Sequence, residues 1–244
     1  MKIFIAIFIL MLSLNAKHIE ANYKISYGLF GKIAKAKITI DRDDKKYRII
    51  LEAEALRIAK VLGGSRTEYY ESSGHVENGL LVTEKYITKA TKKGKTTTKR
   101  HIVKNGEINL KKFVEKDGDV KISEEKLDYM AKVDLLSLYA NTSYRLKNED
   151  KNHWDIKSIG SKSKDKTIAV TRLTGKTLEK VKKELKTDAL HYLLINIHQK
   201  IFSSKEGALN IAMDEDGVVQ KAVLRDVIFF GDITGTLVGK SVRE

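Results

Sequence analysis

The chain has 244 residues, of which 42% are apolar and 32% are charged, and it contains neither cysteine nor proline. This length and apolar share suit one or two folded domains and exclude general disorder. The absence of cysteine excludes disulfides, thiolate catalysis, iron–sulfur clusters and cysteine-ligated zinc. The formal net charge of +14 directs attention to anionic partners.

The first sixteen residues have the pattern of an export signal. Lys2 precedes an uninterrupted apolar run over residues 3–12, and small or polar residues follow up to Ala16. The run is shorter than the roughly 20 residues that span a bilayer. We therefore predict a signal peptide over residues 1–16, cleaved after Ala16 or, as a second choice, after Ala21. The alternative is a buried strand or a retained anchor.

Alternation of apolar and polar residues with a period of two dominates the rest of the chain. Residues 33–40 and 47–55 alternate in this way and are joined by a charged turn at residues 41–46, which predicts an antiparallel hairpin with one buried face. Further strands are predicted at residues 67–73, 82–92, 96–104, 107–115, 120–123, 154–159, 167–174, 208–214, 218–229 and 233–238.

Helical patterns are few. Asp134 can cap a helix that continues toward Tyr144, since its carboxylate can accept hydrogen bonds from the first-turn amides. A short helix over residues 55–62 is predicted to end at two glycines. Residues 177–199 are ambiguous, with helical spacing in the first half and alternation in the second, and we predict a strand for the second half.

These elements define the predicted fold class. It is mainly β: a single large curved antiparallel sheet, half-barrel or barrel-like, with one or two helices, in one domain over residues 17–244. A sheet of eleven or twelve strands is expected to curl, because flat open sheets of that width are rare.

The sequence contains no recognisable catalytic or metal-binding motif. The Gly-x-Ser-x-Gly, Gly-x4-Gly-Lys-Ser/Thr, Gly-x-Gly-x-x-Gly and His-Glu-x-x-His patterns are all missing. His191 and His198 are too far apart for one metal ion on either a strand or a helix. We therefore predict no catalytic residue, cofactor or metal and favour a non-enzymatic role. A hydrolase that uses two carboxylates distant in sequence is an open alternative.

Two groups of residues are candidates for binding. The first is the basic run over residues 89–101. Most of its basic residues are lysines, as in the whole chain, which has 37 Lys and 9 Arg. It predicts a patch for anionic lipid or polysaccharide, or else a solvated hairpin whose lysines protect strand edges. The patch residues are Lys89, Lys92, Lys93, Lys95, Lys99 and Arg100. The second group is aromatic, and its members could line a cavity or pack across strands: Tyr69, Tyr70, Trp154, Phe229 and Phe230. Nucleic acid is not expected as a partner.

Short motifs along the chain suggest a family. They are Tyr23 to Ala34, Glu71 to Val76, Gly79-Leu80-Leu81, Asp134 to Tyr139, Asp214 to Val219 and Phe230 to Leu237. Together they resemble an exported bacterial family catalogued only as a domain of unknown function. Family members carry a proline after the Gly-Leu element and another in the Asp motif, where this chain has Val82-Thr83 and Leu135.

The resemblance implies a periplasmic protein of a Gram-negative cell, with a curved sheet like that of lipoprotein carriers, and it transfers no catalytic residue. The functional hypothesis is a non-enzymatic periplasmic protein that binds an apolar ligand, such as an acyl chain or a lipidated partner, or docks on an envelope protein. The alternatives are the Lys-rich surface module and the unrecognised hydrolase.

Overall fold

The fold is described from a computed structural model, which describes residues 16–56, 66–197, 207–225 and 231–244. Predictions that fall elsewhere lie outside the described residues. These are the signal peptide up to residue 15, most of the predicted 55–62 helix, His198, Phe229 and Phe230.

Fifteen strands of the described residues form one sheet. The strands are β1 (Lys17–Tyr27), β2 (Lys32–Arg42), β3 (Lys46–Ala55), β4 (Arg66–Glu77), β5 (Leu80–Lys92), β6 (Lys95–Lys104), β7 (Glu107–Lys116), β8 (Asp119–Lys126), β9 (Val133–Asp134), β10 (His153–Ile159), β11 (Thr167–Arg172), β12 (His191–Ile197), β13 (Gly207–Met213), β14 (Val219–Leu224) and β15 (Ile233–Arg243). The helices are α1 (Leu135–Asn148) and α2 (Gly175–Leu185).

The strand order is β8-β7-β6-β5-β4-β3-β2-β1-β15-β14-β13-β12-β11-β10-β9. Neighbouring strands are antiparallel apart from β9 and β10, which are parallel. The sheet is not closed, and β8 and β9 are its two edges. A backbone hydrogen bond of 2.8 Å, donated by the Thr83 amide to the Lys132 carbonyl oxygen, brings the start of β9 to β5. The mainly β fold predicted from the sequence is confirmed.

Helix α1 lies inside the curve of the sheet. It contacts β4 and β5 on one side and β10 on the other, and these strands are far apart in the sheet order. Leu136 belongs to a core cluster drawn mainly from β1–β5, whereas Leu138 and Leu146 belong to a cluster drawn mainly from β10–β14. One helix therefore fills the space between two halves of a curved sheet.

Gly79 shows how closely α1 approaches the sheet. It lies in the turn between β4 and β5 with φ of 78°, and an added Cβ would lie 2.3 Å from the Tyr144 ring of α1. Both the positive φ and the close ring therefore favour glycine at this turn.

Helix α2 packs on the opposite, outer face of the sheet. Val181 and Leu185 of α2 contact Tyr192, Ala212 and Val223 of β12, β13 and β14. This region corresponds to the ambiguous residues 177–199: the first half forms the helix, and the second half is the strand that the alternation predicted.

Most other predicted strands are confirmed with shifted bounds. The prediction for residues 55–62 is wrong where it can be compared, because Ala55 is the last residue of strand β3 and not the start of a helix. The Leu56 amide extends the pairing by donating to the Ile33 carbonyl oxygen at 2.8 Å. The predicted strand 218–229 corresponds to strand β14, which ends at Leu224, and residues 226–229 lie outside the described residues. The alternation did not predict strand β1 or the two-residue strand β9.

Candidate ligand-binding cavity

A cavity of about 270 Å³ lies between α1 and the inner face of β11–β13. Its apolar lining residues are Leu135, Leu138, Tyr139, Ile168, Leu193, Ile195, Leu209, Ile211 and Met213. The apolar lining residues of β12 and β13 are spaced two positions apart, since every second side chain of a strand points to the same face. The period-two pattern of these strands therefore supplies one apolar wall of the cavity.

The other lining residues are Gly160 and the polar residues Thr142, Ser161, Lys162 and Asn196. The Thr142 hydroxyl already donates to the Leu138 carbonyl oxygen of its own helix at 2.9 Å. Lys162 both lines the cavity and is exposed to solvent, so this residue belongs to the rim of the cavity. The arrangement is an apolar interior with a cation at the rim, which suits an apolar group attached to a polar or anionic end.

The aromatic residues singled out from the sequence do not line this cavity. Tyr69 lies on the outer face, Tyr70 donates its hydroxyl to Glu68 at 2.8 Å, and the indole of buried Trp154 donates to Glu149 at 2.7 Å. The structure thus distributes the described members of the group over three places. Tyr139, Leu193 and Ile211, which do line the cavity, carried no distinctive sequence signal.

A larger open groove of about 1020 Å³ runs over the outer face of strands β1–β5. Its walls carry alternating lysines and glutamates. Lys35 pairs with Glu54 at 3.1 Å, and Lys37 pairs with Glu20. Because these charges neutralise one another in exposed positions, the groove offers less to a ligand than the apolar cavity does.

A buried polar network surrounds Asp134, at the N-terminus of α1. One carboxylate oxygen accepts hydrogen bonds from the Ser72 hydroxyl at 2.5 Å and the Thr83 hydroxyl at 2.7 Å. The other accepts from the amides of Leu136 at 2.7 Å and Ser137 at 3.2 Å. Asp134 is fully buried, and burial raises the pKa of its carboxyl.

The chemistry of this network is structural. The Ser137 hydroxyl accepts from the Asp134 amide at 2.9 Å, which completes a capping box. Tyr47 lies 2.9 Å from the Ser72 hydroxyl and extends the network into β3. These groups satisfy one another beneath the sheet with no opening to solvent, so the network fixes α1 rather than forming a reaction centre.

His101 is a second buried titratable group. It is 6% exposed, stacks on the Tyr86 ring with centroids 5.6 Å apart, and its pKa is lowered by burial. A lowered folded-state pKa means that the unfolded chain binds the proton more readily. The stability that neutral His101 provides is therefore complete above its unfolded pKa of 6.5 and is lost as pH falls through the folded-state value.

We expect the substitution His101→Phe to flatten the loss of unfolding free energy between about pH 7 and pH 5. Phenylalanine can keep the stacking on Tyr86 but cannot take up a proton. Urea unfolding at several pH values measures the effect. An unchanged slope in the variant would show that other groups dominate this pH range.

The basic run predicted as one patch is divided between the two faces of the sheet. Lys89 and Arg100 point to the outer face, in register with Thr98 and Ile87. Lys92, Lys95 and Lys99 share the face of buried Tyr86 and His101, and Lys93 occupies the turn with φ of 49°. The run therefore does not form a single surface.

In the described ranges, no group of three or more His, Asp or Glu residues is placed to hold a metal ion. Those ranges also contain no helix long and apolar enough to cross a membrane.

The comparisons with known proteins identify a fold but no family. No family model matches the sequence, and no curated protein matches it either. Among solved structures, the chain is similar to a β-barrel-like protein of the domain of unknown function DUF1849 from Brucella abortus, with a TM-score of 0.53 and 10% identity. The match covers 93% of this chain and 98% of that one. At this identity the likeness shows the fold alone.

Proposed function

We propose that the protein is an exported, non-enzymatic binding protein whose cavity between α1 and β11–β13 holds the apolar part of a ligand. The observation that carries this proposal is the apolar cavity of about 270 Å³ inside the curve of the sheet. Burying apolar surface there contributes roughly 0.8 kcal/mol for each methylene group removed from water.

The size and rim of the cavity define the ligand class. Small-molecule sites range over about 300–1,000 Å³, so this cavity of about 270 Å³ is slightly smaller than that range. It suits one acyl chain or a similar apolar group rather than several chains of one lipid. Lys162 at the opening favours a carboxylate or phosphate at the polar end of the ligand.

Export rests on the N-terminal sequence and on where the sheet begins. Strand β1 starts at Lys17, directly after the predicted cleavage position at Ala16, so removal of the leader would leave every described strand intact. The periplasm is the proposed location, and N-terminal sequencing of protein from that compartment tests it.

The substitution Ile195→Trp is expected to reduce binding of a fluorescent fatty acid such as cis-parinaric acid by tenfold or more. Ile195 lines the cavity, and an indole there occupies the space that the acyl chain needs. Fluorescence titration with the purified protein gives the dissociation constant.

The matched control is Val238→Trp, because Val238 is 64% exposed and lies on β15 away from this cavity. Circular dichroism of both variants reports folding. Equal binding by wild type and both variants, or no binding by any of them, would contradict the proposal. Mass spectrometry of lipid extracted from protein purified from its native compartment identifies the physiological ligand.

A further inference from the structure

Six lysines gather on one face of the four strands β5–β8, which form one end of the sheet. This basic face comprises Lys92, Lys95, Lys99, Lys112, Lys116 and Lys121. It continues the face on which Tyr86, His101 and Leu110 are buried nearer the core. The six residues come from four different strands, so no single sequence segment contains them.

The register places like charges directly opposite one another. Lys99 is paired with Lys112 across β6 and β7, and Lys92 is paired with Lys95 across β5 and β6. Like charges in such positions destabilise a sheet. An anionic partner that lies over these rows would relieve the repulsion between the paired lysines.

The opposite face of the same strands differs, because three of its lysines have acidic partners. Lys111 pairs with Glu124 at 2.5 Å, Lys126 with Glu107 at 2.7 Å, and Lys85 with Glu71 at 3.2 Å. On the basic face, by contrast, no described carboxylate forms an ion pair with Lys92, Lys95, Lys99, Lys112 or Lys121. The acidic residues that share this face are Asp119 and Glu125.

We propose that the basic face docks on a membrane surface rich in anionic phospholipid. Four strands and three rows of side chains span about 15 Å by 14 Å, an area wider than one phosphate or carboxylate. Lysine supplies hydrated point charges rather than the planar fork that binds one phosphate in fixed geometry. A diffuse layer of headgroups matches that pattern.

The composition of the basic face argues against single-stranded nucleic acid as its partner. The rows of this face that lie beyond Tyr86 and His101 consist of lysines with Thr88, Ala90, Thr97, Val114 and Ser123. Phe113 and Ile122 lie on the opposite face. Single-stranded nucleic acids bind through aromatic stacking in addition to basic side chains, and these rows offer no ring for stacking.

The test compares two variants of the full exported chain that lose the same charge. One carries Lys92→Gln, Lys99→Gln, Lys112→Gln and Lys121→Gln. The control carries Lys151→Gln, Lys176→Gln, Lys180→Gln and Lys183→Gln, which are exposed and lie outside β5–β8. Co-sedimentation with phosphatidylcholine–phosphatidylglycerol vesicles, and with pure phosphatidylcholine vesicles, measures binding.

Binding of the wild-type protein to the anionic vesicles is expected to fall at least tenfold in the basic-face variant and to change less in the control. A single lysine near an anionic membrane contributes about fivefold. Binding should also weaken as salt rises from about 0.1 M to about 1 M, since the screening length falls from about 10 Å to about 3 Å.

Three outcomes would overturn the proposal. Equal losses in the two variants would show that net charge, and not this face, drives binding. Absence of binding to anionic vesicles, or equal binding to neutral ones, would exclude anionic phospholipid as the partner of the basic face. Binding to an anionic polysaccharide through the same lysines, without binding to vesicles, would assign the face to a different partner. None of these results bears on the apolar cavity, which is tested separately with the fatty-acid probe.

Discussion

The substitution Asp134→Ala is expected to lower the free energy of unfolding by about 3 kcal/mol or more. Loss of an N-cap side chain costs roughly 1 kcal/mol, and each hydrogen bond lost by a buried hydroxyl costs about another 1 kcal/mol, since Ser72 and Thr83 keep their contacts with Tyr47 and Ser137. Both losses occur together here, because the Asp134 carboxylate serves the amides of α1 and the hydroxyls of Ser72 and Thr83. Urea unfolding followed by Trp154 fluorescence measures the change, since Trp154 is the single tryptophan of the chain.

The second helix of the protein provides the matched control. Thr174 is the N-cap residue of α2, and its side chain makes no capping hydrogen bond. The substitution Thr174→Ala should therefore change the unfolding free energy by no more than about 0.5 kcal/mol. If Asp134→Ala costs as little as Thr174→Ala, the buried network does not hold α1 inside the sheet.

Asp134 also has a pH signature. Burial raises the pKa of its carboxyl above the usual value of 3.8, in spite of the hydrogen bonds from Ser72, Thr83 and two amides. Between pH 3.8 and the folded-state pKa, the folded protein therefore keeps a proton on Asp134 that the unfolded chain loses. The stability from this group is complete below pH 3.8 and declines as pH rises through the folded-state pKa. Asp134→Asn, which cannot ionise, should remove this decline and cost less than Asp134→Ala.

Much of the fold could be predicted from the sequence because its rules are local. Alternation over residues 33–40 and 47–55 places Ile38, Ile40 and Ile49 in the core, and all three are buried. Asp134 caps α1 as its position before an apolar helical pattern predicted. The structure of residues 177–199 was harder to predict, because α2 is stabilised by contacts of Val181 and Leu185 with strands that come later in the chain.

The cavity could not be predicted because no local pattern encodes it. Its walls come from α1 and from β11–β13, and the sequence does not show that α1 lies inside the curve of the sheet. The spacing of two residues between Leu193 and Ile195, and between Leu209 and Ile211, indicates an apolar face. It does not indicate an empty space beside that face. Space depends on how completely the facing side chains of the helix fill the gap.

The basic face was missed for a related reason. The sequence showed a run of lysines over residues 89–101, but register decides which face each one occupies. Lys89 and Arg100 are directed away from Lys99, whereas Lys112 and Lys121 join it from β7 and β8. A pattern distributed over four strands becomes visible only when the pairing is known.

A chain that begins at Asn22 is expected to lose more than about 5 kcal/mol of stability relative to one that begins at Lys17. Strand β1 lies between β2 and β15, so loss of its first five residues strips hydrogen bonds from both neighbours. The same deletion removes Ile19, which is 6% exposed, and Ala21, which is fully buried. A buried isoleucine alone contributes about 2–5 kcal/mol, and ordinary domains have only about 5–15 kcal/mol in total.

This expectation separates the two predicted cleavage positions. Cleavage after Ala16 leaves β1 whole and keeps the ion pair of Lys17 with Asp216 at 3.1 Å, whereas cleavage after Ala21 removes that ion pair and the first five residues of β1. Urea unfolding of the two shortened chains measures the stability difference, and N-terminal sequencing of protein recovered from the proposed periplasmic location should return Lys17. If the chain from Asn22 is as stable as the chain from Lys17, the first half of β1 is dispensable and Ala21 becomes an equally acceptable site. A mature N-terminus at Asn22 would contradict the assignment directly, because the cell would then be producing a sheet with its central strand cut in half.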